Sequence, residues 1–560
     1  MVKGFRQIAL LTAISRILGF IRDTVYAWVF GLGTLLDAWN IAFKIPNLGR
    51  RLFGEGAASA SFIPVYSEEL HKSAKDADRL ANSVISALFV ILTGIVLLGE
   101  VIIWVLRDFY YTSSETRLAL NLTAVTLPYM IMICLVGVIA GLLNVHRHFA
   151  APAIAPIIMN ICIIAGALAA AFLFPVHMRN NAANAAASYS FEQPAVKQLF
   201  TLAVAILIAG IVEFAVQLPP LYKTGAGLRF AWDIYSKPFR KIITLMLPMV
   251  VGLSVTQINT LADDLIAWWF SGSVEKGEFF TIFGHQLRYP LWRGSVSCLN
   301  FAQHLYQLPL GIFGISLATA LFPVMSRYAA RKEHRNLCST ISLGMRGSIF
   351  IALPCSVGLI MIAHPFISIW LKHGNFKSSD IPNVTWPLIF YSVGITGYFM
   401  QHIVTRAFYS LQDSKMPLRS GIIAVAVNFI LNLVLIWFLR TGGLALSTSI
   451  CSYLQVVILL TALHSRLGGA LLGGFWKTLI KTATATASMA GAGGLILYVL
   501  RGLPSENRFD ILRLALVIPV SAGAYLLVSK VLKMEEIALL SGRKTQSFEE
   551  TIAEAEFKDQ

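Results

Sequence analysis

The chain has 560 residues, 56% of them hydrophobic and only 13% charged, with a mean hydropathy of +0.69. Soluble chains carry about 25% charged residues, so a water-soluble fold is excluded and an all-α polytopic membrane protein is expected. The formal charge of +16 is read as basic cytoplasmic loops, the usual place for Lys and Arg in a membrane protein, and not as a nucleic-acid surface.

In chain order the apolar runs predict fourteen spans: 7–31, 34–65 (broken), 80–106, 117–144, 152–175, 199–221, 242–270, 296–326, 338–371, 382–410, 417–439, 442–464, 474–500 and 510–532. Several exceed the ~20 residues that a bilayer needs, so tilt is expected. No cleavable signal peptide is expected, because the first span carries charges and no small-residue cleavage site follows it. Counting Lys and Arg in the loops favours an inward N-terminus, seventeen inside against twelve outside, and an even span number puts both termini in the cytoplasm. The acidic end, SFEETIAEAEFKDQ, reads as a solvated tail within residues 534–560. The six cysteines are scattered and form no metal-ligand spacing.

An internal repeat is visible. FIPVYS (62–67) resembles LFPVMS (321–326), and LPYMI (127–131) resembles WPLIF (386–390). Pro64 and Pro323 are 259 residues apart, and so are Pro128 and Pro387. The repeat predicts two pseudo-symmetric six-helix lobes of like orientation, residues 1–223 and 224–466, with two further helices over 467–533. Such parallel repeats are one route to alternating access. TATATASMAGAGG (482–494) supplies small residues for close helix packing.

The first two spans hold charges where lipid is expected. Thr12, Ser15, Arg16, Gly19 and Asp23 share one helical face, with Arg22 about 100° to its side. Asp37, Asn40, Lys44, Asn47 and Arg51 share a face of the second span, where Pro46 predicts a break. Arg50 and Glu55 continue it. One charge at the bilayer centre costs about 2.5–3.5 kcal/mol, so these eight groups must face water or each other. Five are basic and three acidic. The excess of two cations predicts an anion cavity, and Arg forks suit phosphate oxygens. For Lys44 and Arg51, structural pairing near a helix end is an equal alternative.

SRILGFIRD (15–23), DAWNIAFKIPNLGRRLFGEGAASASFIP (37–64) and RAFYSLQDSKMP (406–417) resemble the MurJ/MviN family. That family flips lipid II, the undecaprenyl-diphosphate-linked peptidoglycan precursor, across the bacterial cytoplasmic membrane, and belongs to the MATE-like MOP superfamily. The resemblance implies fourteen helices, two lobes and a central cavity that opens to each side in turn. It implies that Arg16, Arg22 and Arg50 match substrate-contacting arginines, and that Asp37 and Glu55 match acidic positions beside them. Asp23 and Arg51 join the candidate substrate site as their charged neighbours. The last two helices are implied to form a groove for the lipid tail. One departure matters: in FAQHLYQLP (301–309), Gln303 and His304 stand where the family has an Asp-Arg pair. An imidazole has an unperturbed pKa near 6.5, so His304 reads either as a pH-dependent contact or as a buried histidine. The aromatic outer loop SVEKGEFFTIFGHQLRYPLWRGS (273–295) reads either as a lid or as an insertion without a role.

G-x-x-x-x-G-K-[ST] is absent, which argues against ATP hydrolysis. Ion coupling or membrane potential is left, with Na+ or H+ as coupling ion and no cofactor. Asn259 and Asp263 are four apart, as are Asn428 and Asn432, and Thr448 follows in the next span. Asp263 with Asn428, Asn432 and Thr448 offers oxygen ligands for a monovalent cation, and the resemblance implies a sodium site in this half. Hydrogen bonds between helices, or Asp263 acting alone as a proton carrier, explain the same residues. A membrane enzyme is disfavoured, because no catalytic constellation is found. A cationic-drug exporter is disfavoured by the arginines. A flippase of another undecaprenyl-diphosphate-linked oligosaccharide is the closest alternative. The expected partners are lipid II and membrane lipids, with the chain acting as a monomer and without nucleic acid.

Overall fold

A computed structural model describes residues 2–54, 57–176, 189–225, 227–282, 284–468, 471–504 and 506–538. The helices are α1 (Val2–Phe30), α2 (Thr34–Gly49), α3 (Ala57–Lys72), α4 (Ala74–Val105), α5 (Ser114–Thr126), α6 (Tyr129–Val145), α7 (Ala150–Leu173), α8 (Pro194–Lys223) and α9 (Lys237–Trp269). Four short strands follow, β1 (Ser271–Gly272), β2 (Phe279–Ile282), β3 (His285–Arg288) and β4 (Leu291–Trp292). Then come α10 (Ser295–Pro309), α11 (Ile315–Ala330), α12 (His334–Leu371), α13 (Ile381–Ser410), α14 (Lys415–Leu439), α15 (Thr441–Leu467), α16 (Phe475–Val499) and α17 (Asn507–Val531).

Ten described helical segments are long and apolar enough to cross a membrane, and eleven if the bent pair α5–α6 counts as one span. The chain is therefore a multi-pass, all-α membrane protein. That measure does not count α1, α13 or the broken α2–α3, which belong to the fourteen predicted spans. The predicted span 117–144 is bent by 41° between α5 and α6, where Pro128 removes a backbone donor. The predicted break in the second span is a π-helical turn over Arg50–Gly54, just after Pro46.

The repeat is visible in the backbone as well as in the prolines. A π-helical turn over Arg50–Gly54 precedes α3, which contains Pro64. A second one over Leu310–Gly314 precedes α11, which contains Pro323. Both halves thus carry an interrupted helix at corresponding positions.

Contacts divide the chain into two compact units. Unit 1 is Met1–Ser297 with Leu371–Lys377, and unit 2 is Cys298–Trp370 with Ser378–Gln560. Unit 1 runs past the expected boundary at residue 223. It takes in α9, which is tied to earlier helices by the ion pairs Lys241–Glu68 (2.6 Å) and Lys44–Asp264 (2.6 Å). Its core includes Trp39, Phe62, Tyr66 and Tyr129. In unit 2, α11, α12, α13 and α15 close around Met325, Ile341, Met345, Ile403, Phe408 and Leu459. Polar seams join α13 to α15, where Ser449 Oγ donates to Phe390 O at 2.7 Å.

The loop 273–295 is neither bare nor loose. β2 and β3 form an antiparallel hairpin, while β1 and β4 pair in parallel at its base. Arg293 anchors the base: its Nε and Nη2 donate to Glu115 Oε2 at 3.0 and 2.8 Å, and its Nη1 donates to Trp268 O at 2.8 Å. The guanidinium lies 3.7 Å over the Trp268 ring. Glu275 caps the start of α5, accepting from Ser114 N at 2.9 Å and Ser114 Oγ at 3.0 Å. Desolvation works against its charge, but these bonds win and hold the Glu275 carboxyl below its ordinary pKa.

The segment 371–377 caps α1. Asn375 N donates to Trp28 O at 3.0 Å and its Nδ2 to Val29 O at 2.5 Å, satisfying carbonyls that a helix end leaves without partners. Close approach dictates glycine on both sides. Gly31 (φ +65) and Gly374 (φ +55) are left-handed, and a Cβ on Gly31 would lie 2.7 Å from Asn375 O.

Candidate functional site

The charged face of α1 is where the sequence places it, but its members differ in role. Arg16 is exposed and has no hydrogen-bond or ion-pair partner among the described residues. Arg22 is oriented by its neighbours. Its Nε and Nη2 donate to Asp23 Oδ1 at 3.1 and 2.9 Å, its Nη1 reaches Asn160 Oδ1 at 3.3 Å, and Tyr26 lies beneath it at 5.8 Å. Asp23 is buried. Asn160 on α7 is fixed in turn by donating to Pro156 O and Ser15 O, at 2.9 and 3.3 Å. Nothing about an isolated Asn in an apolar run marks it for this task, so sequence reasoning missed it.

Along α2 the charges are matched one by one. Lys44 meets Asp264 of α9 at 2.6 Å, with the Asp264 side chain fully buried. Asp37, fully buried, caps the start of α10. Its Oδ2 accepts from Gly294 N at 2.6 Å, and its Oδ1 from Ser297 N at 2.8 Å and Ser297 Oγ at 2.7 Å. A carboxylate suits that place, because free backbone N–H groups and the helix dipole both favour a negative charge. Asn40 Nδ2 adds a bond to Ser297 Oγ at 3.1 Å. In the π-helical turn, Arg50 Nε donates to Asn47 Oδ1 at 2.9 Å, and Arg51 Nη1 donates to Gln257 Oε1 at 3.1 Å. Glu55 lies outside the described residues. Within unit 1, Arg16, Arg22 and Asp23 thus lie on α1, Asp37 on α2, and Arg50 and Arg51 on the π-helical turn that follows it.

His304 belongs to unit 2, half-buried on α10 beside Gln303, whose Nε2 donates to Tyr391 OH at 3.0 Å. Tyr306 stacks on Tyr391 and Tyr398 with ring centroids 4.9 and 5.3 Å apart. The proposed ion ligands fall in both units. Asp263 is buried on α9 in unit 1. In unit 2, Asn432 Nδ2 donates to Asn428 Oδ1 at 2.8 Å, Asn428 Nδ2 to Thr448 Oγ1 at 3.2 Å, and Ser447 Oγ to Asn432 Oδ1. These bonds join α14 to α15, as helix–helix hydrogen bonding would. Among the described residues, no group of three or more His, Cys, Asp or Glu could hold a metal ion.

An apolar cavity of about 450 Å³ opens between α12, α16 and α17, lined by Phe350, Cys355, Met361, Met489, Val517 and Tyr525 among others. Its walls suit a hydrocarbon chain, in the size range of sites for small ligands.

Known proteins resemble this chain along most of its length. The family model described as lipid II flippase MurJ matches residues 26–504. A probable lipid II flippase MurJ of Vibrio cholerae serotype O1 is 31% identical over 503 residues, covering 87% of this chain and 86% of the relative. One from Buchnera aphidicola subsp. Acyrthosiphon pisum is 30% identical, covering 83% and 84%. A solved structure of lipid II flippase MurJ in an inward closed conformation superposes with a TM-score of 0.71 at 25% identity, covering 95% of this chain and 99% of that one. An inward-facing multidrug resistance MATE transporter of the MOP superfamily shares the fold, with a TM-score of 0.58 at 14% identity, covering 83% and 98%. With the arginine-bearing broken helices and a family match that spans most of its length, this chain belongs to the lipid II flippase MurJ family.

Proposed function

We propose that this chain moves lipid II from the inner to the outer leaflet of the bacterial cytoplasmic membrane by alternating access, with both termini in the cytoplasm. The observation that carries the reading is the state of α1. Arg16 is exposed with no acidic partner among the described residues, while Arg22 is aimed by Asp23 and Asn160. A diphosphate offers the acceptors that Arg16 lacks, and each charge-assisted bond contributes about 1.5–3 kcal/mol. Asp23 positions the Arg22 fork. Arg50 and Arg51 supply further donors, and Asp37 holds the neighbouring helix start. The apolar cavity between α12, α16 and α17 takes the prenyl chain. The chain is a transporter without a catalytic step. It works as a monomer among membrane lipids and binds no nucleic acid.

Transport draws on an ion gradient or the membrane potential, where one charge moved through 100 mV contributes about 2.3 kcal/mol. Asp263, in unit 1, is the group to carry Na+ or H+, and Asn428, Asn432 and Thr448 are separate oxygen donors in unit 2. An Asp263→Asn chain that transports with unchanged sodium and pH dependence removes that role.

The test of the whole reading uses cells depleted of their own lipid II flippase. The wild-type gene restores externally accessible lipid II, and Arg16→Ala and Arg22→Ala do not. Full activity in both variants refutes the anion-binding role of α1.

A further inference from the structure

We propose that a second cavity, built wholly within unit 2, binds a phosphate-bearing anion supplied by the membrane as an anionic phospholipid headgroup. The cavity measures about 520 Å³ and sits where α12 and α16 begin and α15 ends, lined by His334, Arg335, Ser339, Ser342, Arg346 and Gly474 among others. Among the described residues, no acidic side chain lines it. Two guanidinium groups and an imidazole in one hollow without a lining carboxylate make a site for negative charge.

Arg346 is held but not satisfied. Its Nη1 lies 3.5 Å from both Glu535 and Glu536, long for a charge-assisted bond, and its Nε is buried with no hydrogen-bond acceptor. Glu536 already accepts from Thr478 Oγ1 at 2.8 Å. A phosphate oxygen would complete the fork that these carboxylates engage only loosely. Ser342 Oγ is committed to Gly473 O at 2.6 Å, which leaves Ser339 as the hydroxyl able to turn to a ligand. The first turns of α12 and α16 add the positive ends of two helix dipoles.

The surroundings choose the source of the anion. Arg331 and Lys332 precede α12, Arg466 ends α15, where it pairs with Asp413 at 2.6 Å, and Lys477 lies in the first turn of α16, on the side that the Lys and Arg count expects to be cytoplasmic. Trp476, at the start of α16, is 66% exposed, as aromatic side chains at a membrane–water boundary are. A basic hollow at that level suits a lipid phosphate.

Native mass spectrometry of the full chain in detergent, loaded equally with phosphatidylglycerol and phosphatidylcholine, tests this. The wild type retains phosphatidylglycerol in preference by about tenfold, as one charge-assisted bond predicts. The Arg335→Gln/Arg346→Gln chain loses the preference, Arg346→Lys keeps most of it, and Glu535→Gln strengthens it by removing a competing carboxylate. A melting temperature matched to the wild type shows that the double variant is folded. Equal retention of both lipids by the wild type, or an undiminished preference in the double variant, overturns the proposal. Arg346-dependent binding of inorganic phosphate without any lipid preference overturns the membrane as the source and retains the anion site.

Discussion

Replacing Arg293 with Met should release the base of the 273–295 hairpin. The exchange leaves the Glu115 carboxylate, whose side chain is 2% exposed, without its cation, and leaves Trp268 O without a donor. Breaking a buried pair from one side costs about 3–5 kcal/mol, because the remaining charge stays buried. Loss of the stack on Trp268, where the guanidinium lies at 3.7 Å, acts in the same direction. At 1.4 kcal/mol per factor of ten, local opening becomes more frequent by on the order of a hundredfold or more. Hydrogen exchange over 271–298 measures this directly. It covers the β1–β4 pair and the Gly294 and Ser297 amides bound to Asp37. Adding Glu115→Gln should recover part of the loss by removing the stranded charge. Exchange in Arg293→Met within threefold of wild type would refute the view that this pair anchors the loop.

Three more predictions follow from the same geometry. Burial, then the neighbouring Arg293 charge, pushes the Lys276 amine down to about 8; the unfolded chain binds the extra proton between that value and the ordinary ~10.4, so loop stability rises with pH across this window. Acylation of Lys276 followed against pH should show a midpoint near 8, and a midpoint above 10 contradicts the assignment. Lys44→Met and Asp264→Asn should each lower the melting temperature, by about 3–5 kcal/mol of stability, while Lys44→Met/Asp264→Leu recovers most of it; additive losses would show that the pair is not coupled. Gly374→Ala forces a Cβ within 2.5 Å of Trp28 O at φ +55 and should cost more than Gly225→Ala, where φ is +84 but no atom lies within 4 Å; the second variant meets only the backbone cost of about 1–2 kcal/mol, and equal melting temperatures would refute the tight fit against α1.

The helices were legible because lipid imposes one rule on them all: a long apolar stretch. Thus the span expected at 417–439 is Lys415–Leu439, and that at 474–500 is Phe475–Val499. Pro46, expected to break the second span, stays inside α2, and the helix turns π-helical only from Arg50, which its missing donor does not account for. The charged face of α1 could be seen because three charges in an apolar run demand an explanation. What those charges touch could not. Asp37 reads from sequence as one more cavity carboxylate, yet it caps a helix that begins at Ser295. Lys44 is matched by Asp264, on a helix far along the chain whose own charges gave no hint of that pairing. The loop 273–295 was visible only as aromatic and long. Its hairpin depends on Arg293 and Glu275 finding α5, and no local pattern encodes that.

The central claim is that guanidinium groups on α1 recognise the diphosphate of a lipid-linked precursor. Titrating purified chain with lipid II in detergent tests it without the rest of the cell. The wild type should bind at least about tenfold more tightly than Arg16→Gln, with a further loss in Arg16→Gln/Arg22→Gln, as lost charge-assisted bonds require. Equal lipid II affinity in all three folded proteins would contradict the account.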